Sequence, residues 1–336
     1  MDAMEYVLAV VALLAGLGAF LFGFKVLSDN IEKLATNRLR SWFDKTGKSR
    51  LAGVGIGAGV TAIIQSSSAT TVMVVGFVNA GLMSLFQATT VIMGANIGTT
   101  VTAYFSVIAD IPFIEIITLF TCVGIFMDML CKKEKVKTVG MMLAGLGLVF
   151  LGLEYMGMAM DDFAQQDIVK DFLISVDNRL VLLLAGVIIT GIVQSSSAVT
   201  TLIVQMVAAG LTIGDPSNSG VLFLVLGTNI GTCVTALLSS VGANTNAKRA
   251  ALIHLMFNVF GTVIFSIFLL CWPGFMSATL GNWFADDPGL QIALFHTFFN
   301  VVCTCIFLPF AQLFVKAATK LIREKKGAQT PENDCA

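Results

Sequence analysis

The sequence predicts an all-α, polytopic membrane protein built from two inverted-topology repeats, each with a re-entrant helical hairpin and a glycine-broken transmembrane helix. Three observations predict it. Only 12% of the 336 residues are charged and 56% are hydrophobic, whereas a soluble domain carries about 25% charged residues. A polar island, Gln65-Ser66-Ser67-Ser68-Ala69-Thr70-Thr71, interrupts one apolar run and returns in another as Gln194-Ser195-Ser196-Ser197-Ala198-Val199-Thr200-Thr201. The Lys and Arg residues cluster between apolar runs, so the positive-inside rule fixes the side from which each run starts.

The first apolar run, residues 5–27, is long enough to span ~30 Å of hydrocarbon. Asp2 and Glu5 precede it, where a cleavable signal would carry Lys or Arg. Residues 28–50 carry Lys33, Arg38, Arg40, Lys45, Lys48 and Arg50, so they are expected as a cytoplasmic loop, with the N-terminus outside. Residues 51–82 are apolar around the first island, and Gly53, Gly55, Gly57 and Gly59 precede it, suited to close packing in a hairpin. Spans at 85–109 and 113–131 follow, divided by Asp110-Ile111-Pro112, and then come Lys132, Lys133, Lys135 and Lys137. If 51–82 crossed the membrane, these lysines would lie outside. If it enters and leaves on one side, they lie inside, so 51–82 is expected as a re-entrant hairpin. Each arm has roughly 14 residues, or about 20 Å at 1.5 Å per residue, enough to reach the bilayer midplane.

The second half follows the same plan. A span at 138–157 leads to an outer loop with Asp161, Asp162, Asp167, Asp171 and Asp177. A second hairpin, 180–211, enters from outside, and a span at 220–241 leads to Lys248 and Arg249 inside. A span at 250–271 leads out to Asp286 and Asp287, and a final transmembrane helix, 289–315, precedes a cytoplasmic tail, 316–336, with Lys316, Lys320, Arg323, Lys325 and Lys326. Repeat 1 therefore occupies 5–131 and repeat 2 occupies 138–271, giving seven crossings and two hairpins.

Register supports the duplication. Leu14-Ala15-Gly16-Leu17-Gly18 recurs 129 residues later at Leu143–Gly147, as do Gln65 at Gln194 and Ala80-Gly81-Leu82 at Ala209–Leu211. After an insertion near Asp215–Ser219 the offset becomes 133, matching Gly94-Ala95-Asn96-Ile97-Gly98-Thr99 to Gly227–Thr232, and Thr102-Ala103 to Thr235-Ala236. Inverted repeats with glycine-interrupted segments at matching positions point to a secondary transporter with its site near the midplane.

Each island must be enclosed by protein or line a wet cavity, because lipid offers it no hydrogen bonds. Ser68 is expected to cap a half-helix starting at Ala69. A helix N-terminus behaves like roughly +0.5 charge and binds anions without Lys or Arg. Unwinding at Gly94–Thr100 and Gly227–Thr232 would expose carbonyls beside Asn96, Asn229 and threonine hydroxyls, ligands suited to a hard cation such as Na+. Four half-helix N-termini would then converge. No Lys or Arg is expected at mid-span, so a multivalent anion needs bound cations as partners, which suggests cotransport.

Other readings weigh less. Ser, Thr and Gly are common at helix contacts in membranes, but two islands in register, each with an Asn-Ile-Gly-Thr segment, exceed what packing requires. No nucleophile–base set or metal cluster points to an enzyme, and no polar stripe along a span points to a channel. The net charge of −1 gives no sign of nucleic-acid binding. The seven cysteines, Cys122, Cys131, Cys233, Cys271, Cys303, Cys305 and Cys335, lack metal spacing and are expected as small core residues. His254-x3-Asn258 and His296-x3-Asn300 place His and Asn on one helix face, and interhelical hydrogen bonding is favoured over proton relay or substrate binding.

At the paired Gln-Ser-Ser-Ser motifs, Gln65–Ser68 and Gln194–Ser197, and the paired Gly-x-Asn-Ile-Gly-Thr segments, the sequence resembles the type II sodium-dependent phosphate cotransporters, including their bacterial members. The resemblance covers about residues 5–315. It implies Na+-coupled import of inorganic phosphate by alternating access across a plasma (bacterial inner) membrane. It implies no cofactor besides Na+ as coupling ion. Phosphate would be surrounded by Gln65, Ser66, Ser67, Ser68, Gln194, Ser195, Ser196 and Ser197, with Asn96 and Asn229. The Na+ ligands would come from Gln65, Ser67, Thr99, Thr100, Gln194, Ser196, Thr232 and Thr235. A transporter of another small oxyanion or a carboxylate, with the same architecture, is the alternative. Some bacterial relatives add a C-terminal helical regulatory domain, and this chain ends soon after its last span, so such regulation is not expected. The glycine-rich faces allow a homodimer without requiring one.

Overall fold

Two long helices related by the sequence repeat, α1 (Ala3–Phe43) and α7 (Glu134–Ala164), pack antiparallel against each other. The contact is reciprocal. A Cβ on Gly16 would meet the Gly152 carbonyl at 2.8 Å, and one on Gly23 would meet the Gly145 carbonyl at 2.8 Å. Gly145 and Gly152 are the twins of Gly16 and Gly23 at the 129-residue offset. Small residues let two backbones approach this closely, and a contact in which each partner presents the same patch marks a local two-fold axis. The computed structural model describes residues 3–43, 49–108 and 114–324 and contains no strand among them.

Helix α1 is longer than the expected 5–27, and residues 28–43, expected as a loop, are helical. No Gly or Pro lies between Lys25 and Phe43 to stop it. Asn30 Nδ2 bonds back to the Val26 carbonyl at 2.7 Å. Lys45, Lys48, the Asp110-Ile111-Pro112 break, Lys325, Lys326 and Cys335 lie outside the described residues.

The hairpins repeat residue for residue. In the first, α2 (Arg50–Ile64) and α3 (Ser67–Asn79) flank a two-residue tip. In the second, α9 (Arg179–Val193) and α10 (Ser196–Ala208) do the same at an offset of 129. The spans that follow are α4 (Leu85–Gly98) with α5 (Val101–Ile108) in the first half, and α11 (Gly220–Ser239) in the second.

The glycine-broken span is only partly present. The first half is interrupted at Thr99–Thr100, but Gly94–Gly98 stays helical. In the second half α11 runs unbroken through Gly227–Thr232, correcting the expected interruption. The glycines instead serve close approach. A Cβ on Gly94 would strike the Val54 carbonyl of α2, and one on Gly227 would strike the Leu183 carbonyl of α9. Gly98 and Gly231 face Ala58 and Val187 in the same way. Each span thus lies parallel to the first arm of its own hairpin. On the hairpin side, Gly53 and Gly57 meet Thr90 and Val91 of α4, while Gly55 and Gly59 meet nothing within 4 Å. The glycine run therefore packs the hairpin onto its span rather than arm against arm.

The rest of the chain encloses these units. α6 (Ile114–Leu130) packs antiparallel to α7, and a short helix not foreseen in the acidic loop, α8 (Asp167–Ser175), bends 107° from α9. α12 (Thr245–Cys271) is followed by the short α13 (Phe275–Ala278) and α14 (Leu280–Trp283). The expected final helix is α15 (Pro288–Phe307), which passes through one 3-10 turn at Leu308–Phe310 into α16 (Ala311–Leu321). Pro309 lacks the N–H that would continue the helix. Six helical segments among the described residues are long and apolar enough to cross a membrane, or seven counting the bent α8–α9 pair. The span expected at 113–131 appears as α6 with 17 residues, below that length.

Candidate functional site

At each hairpin tip the backbone reverses through a glutamine in left-handed conformation, Gln65 with φ 60° and Gln194 with φ 59°. Each glutamine amide closes the preceding helix on a threonine carbonyl, Thr61 and Thr190, at 2.7 Å. The next residue, Ser66 or Ser195, is extended and caps the following helix, its Oγ accepting from Ala69 at 3.1 Å and from Ala198 at 3.2 Å. The cap is therefore the first serine of each motif, not Ser68. The amides of Ser67, Ser68, Ser196 and Ser197 precede the first intrahelical bond at the start of each helix and remain available as donors.

The two tips meet. Ser68 Oγ donates to the Gln194 carbonyl at 3.5 Å. A run of side chains joins the halves: Ser67 Oγ donates to Thr99 Oγ1 at 3.3 Å, Thr99 Oγ1 lies 3.3 Å from Ser197 Oγ, Ser197 Oγ donates to Thr102 Oγ1 at 3.3 Å, and Thr102 Oγ1 donates to Gln65 Oε1 at 3.0 Å. Gln65 Nε2 donates to the Ala62 carbonyl. The break at Thr99–Thr100 thus places Thr99 and Thr102 between the two tips. Beside them lies a cavity of about 260 Å³ lined by Gln65, Ser66, Ser195 and Ser197 on one wall and by α1 on the other. The helix N-termini carry partial positive charge, and the hydroxyl and carboxamide oxygens are hard donors, so the same pocket suits an oxyanion and an alkali cation.

The halves are not equivalent. Gln65 is buried and tied to Thr102, whereas Gln194 is exposed. Thr235, the twin of Thr102, donates to the Thr232 carbonyl of its own helix at 2.9 Å. In the first hairpin Thr61 Oγ1 donates to Thr70 Oγ1 at 3.0 Å. The twin of Thr70 is Val199, and Thr190 Oγ1 is left buried without a partner among the described residues.

Of the residues singled out from sequence, Gln65, Ser66, Ser67, Ser68, Thr99, Gln194, Ser195 and Ser197 come together. Ser196 is buried in the first turn of α10. Asn96 and Asn229 are buried and donate to carbonyls four residues back, Ile92 at 2.9 Å and Val225 at 3.2 Å. Thr100 and Thr232 likewise donate to nearby carbonyls, Ile97 at 2.8 Å and Thr228 at 2.9 Å. Because α11 is unbroken, its helix start contributes no N-terminus, and four such termini do not converge.

Two features escaped sequence reasoning. Thr102 belongs to the junction, and applying the repeat to the nominated Thr235 would have found it. Lys25 lies on the cavity wall, where the lack of Lys and Arg at mid-span gave no expectation of an ammonium. It stands near the end of the expected 5–27 run, while α1 continues past it to Phe43. Away from the site, Cys233 and Cys303 are buried as expected, but Cys122, Cys271 and Cys305 are exposed on apolar helices. Asn258 Nδ2 bonds Cys233 Sγ of α11 at 3.4 Å, an interhelical link, whereas His254 Nδ1 and both ring nitrogens of His296 are buried without partners among the described residues.

Helices of spanning length and a polar cavity lined by two repeated hairpins define a multi-pass membrane protein. The chain belongs to the Na+/Pi-cotransporter family, whose model matches residues 19–158 and again 156–272, once in each half. The family is one of transporters rather than enzymes, and membership supports phosphate transport, with Na+ and phosphate as the species moved. The uncharacterized protein YqeW of Bacillus subtilis (strain 168) is 31% identical over 307 residues, 91% of this chain and 96% of that protein. The putative inorganic phosphate export protein YjbB of Escherichia coli (strain K12) is 28% identical over 96% of this chain, which spans 58% of that relative's length. The sodium-dependent phosphate transport protein 2A of Ovis aries is 48% identical over 52 residues, 16% of this chain and 8% of that protein. No solved structure matches the chain.

Proposed function

We propose that the chain is a Na+-coupled secondary transporter that imports inorganic phosphate by alternating access across a plasma (bacterial inner) membrane. The phosphate is held between the Gln65–Ser68 and Gln194–Ser197 tips. The observation that carries this reading is the hydroxyl run from Ser67 through Thr99 and Ser197 to Thr102 and Gln65, which joins the two tips into one site. The amides of Ser67, Ser68, Ser196 and Ser197 and the partial charge of α3 and α10 receive the anion's oxygens. Side-chain oxygens of Gln65, Ser67, Thr99, Gln194 and Ser196 hold Na+, whose charge lowers the cost of burying a multivalent anion. Thr100, Thr232 and Thr235 complete the Na+ set when their helices loosen.

The reciprocal glycine contact of α1 with α7 supports halves of opposite orientation, and hairpin arms of 15 and 13 residues support re-entrant segments ending at mid-depth. The N-terminus then lies outside and the C-terminus in the cytoplasm, as the Lys and Arg distribution requires. An inward Na+ gradient drives import. Labelled phosphate uptake into proteoliposomes, with and without an inward Na+ gradient, tests the reading. Gradient-dependent accumulation is expected, and gradient-independent uptake would contradict it. Export is the second reading, favoured by the name of the Escherichia coli relative. It predicts that phosphate-loaded vesicles lose phosphate without any inward Na+ gradient.

A further inference from the structure

The cavity between the tips has a second wall, formed by one face of α1: Phe20, Leu21, Phe24, Lys25, Ser28 and Asp29. Spacings of three and four put these residues on one side of a helix. Among the described residues, Lys25 is the one cation lining the cavity, and Asp29 is the one carboxylate. Lys25 Nζ lies 2.9 Å from Asp29 Oδ2, with side chains 68% and 49% exposed. A pair this solvated is weak and opens at little cost.

The sequence repeat makes the pair one-sided. The twins of Lys25 and Asp29 on α7 are Glu154 and Met158. The twins of Leu21 and Phe24 are Phe150 and Leu153, 3% and 1% exposed in an apolar cluster. The matching face of α7 thus buries its apolar positions, and at the Lys25 position it carries the opposite charge, Glu154, which is exposed. The repeat therefore carries an ammonium on the wall that lines the cavity and a carboxylate at the matching position.

We propose that Lys25 is an anion-passing residue at the cytoplasmic mouth of the site: its ammonium exchanges the Asp29 carboxylate for an oxygen of the oxyanion as the anion moves between the hairpin tips and the cytoplasm. This rests on reading the cavity as the anion site. An ammonium has three donors and a point charge, suited to an anion in transit rather than fixed recognition. It raises the local anion concentration in a way that falls with ionic strength. Asp29 competes with the anion for the same ammonium, so the two residues act in opposite directions.

The test uses the full chain in inside-out membrane vesicles preloaded with unlabelled phosphate, whose exchange with labelled external phosphate reads the cytoplasmic mouth, at low and high ionic strength. Lys25→Gln is expected to raise the half-saturation concentration roughly three- to tenfold at low ionic strength, with the change falling there rather than in the maximal rate. The difference shrinks at high ionic strength, and Lys25→Arg rescues it. Asp29→Asn lowers the half-saturation concentration, and Glu154→Gln leaves it at the wild-type value. Unchanged half-saturation in Lys25→Gln, while the wild type transports, would overturn this inference alone. So would a loss in Asp29→Asn matching that of Lys25→Gln, because the pair would then be a structural brace. A wild-type chain that moves no phosphate would overturn the functional reading and this inference with it.

Discussion

Gln65 and Gln194 hold the same left-handed backbone, φ 60° and 59°, and each carries its hairpin from one helix into the next. This conformation costs a non-glycine residue about 1–2 kcal/mol, and glycine would remove the cost. Glutamine at both tips means that the side chain offsets the strain, and strain of this kind collects at functional sites.

Gln65→Gly and Gln194→Gly should therefore keep or raise the unfolding temperature in detergent while lowering phosphate uptake at least about tenfold, the size of one lost charge-assisted contact. Thermal unfolding and uptake measured on the same preparations check this. Full uptake would make the glutamines turn residues only.

Thr102 and its twin Thr235 make different bonds, one to Gln65 Oε1 at 3.0 Å and the other to its own helix. Thr102→Val, which keeps the shape and removes the hydroxyl, should weaken the apparent affinity for phosphate or Na+ by about 1 kcal/mol, or roughly fivefold. Thr235→Val should have a smaller effect. Half-saturation curves for both ions decide it, and equal effects would mean that the asymmetry has no functional weight.

Val199 replaces the threonine that satisfies its hairpin partner in the first half, and Thr190 Oγ1 is buried with no partner among the described residues. Thr70 donates to the Ser66 carbonyl at 3.1 Å and accepts from Thr61. Val199→Thr should reproduce both bonds and stabilise the fold by about 0.5–1.5 kcal/mol. A rise in unfolding temperature is the readout.

Gly94 and Gly227 sit where an added Cβ would enter a neighbouring carbonyl. Ala at either position should cost about 1–3 kcal/mol by overpacking. Gly55→Ala and Gly59→Ala, where nothing lies within 4 Å, should leave the folded yield unchanged. Size-exclusion profiles of the four variants separate these outcomes.

Dipoles and hydroxyls recognise an oxyanion's shape and charge more than its central atom. Arsenate should compete with labelled phosphate uptake strongly, sulfate weakly and succinate least. Succinate competing as well as arsenate would favour a carboxylate substrate.

Much of this arrangement was legible in the sequence because it is duplicated. A shared register showed that Gln65–Ser68 and Gln194–Ser197 are equivalent, and a polar island in lipid must find protein partners, so their meeting followed. Ser66 was missed as the cap because the left-handed turn at Gln65 sets the helix start, and no composition rule places glutamine there. The continuity of α11 was missed because glycine beside asparagine reads equally as a hinge or as a contact surface. The choice lies in what stands opposite, here the Leu183 carbonyl of α9. Lys25 was hidden by the length of α1, whose end is marked by no Gly or Pro.

The central claim is one anion site shared by both tips. Arsenate has the shape and charge of phosphate and scatters anomalously, so crystals of the chain grown with arsenate and Na+ locate the anion directly. A single anomalous peak within hydrogen-bond reach of Ser66–Ser68 and of Ser195–Ser197 is predicted. A peak against one tip alone, or away from both, would contradict it.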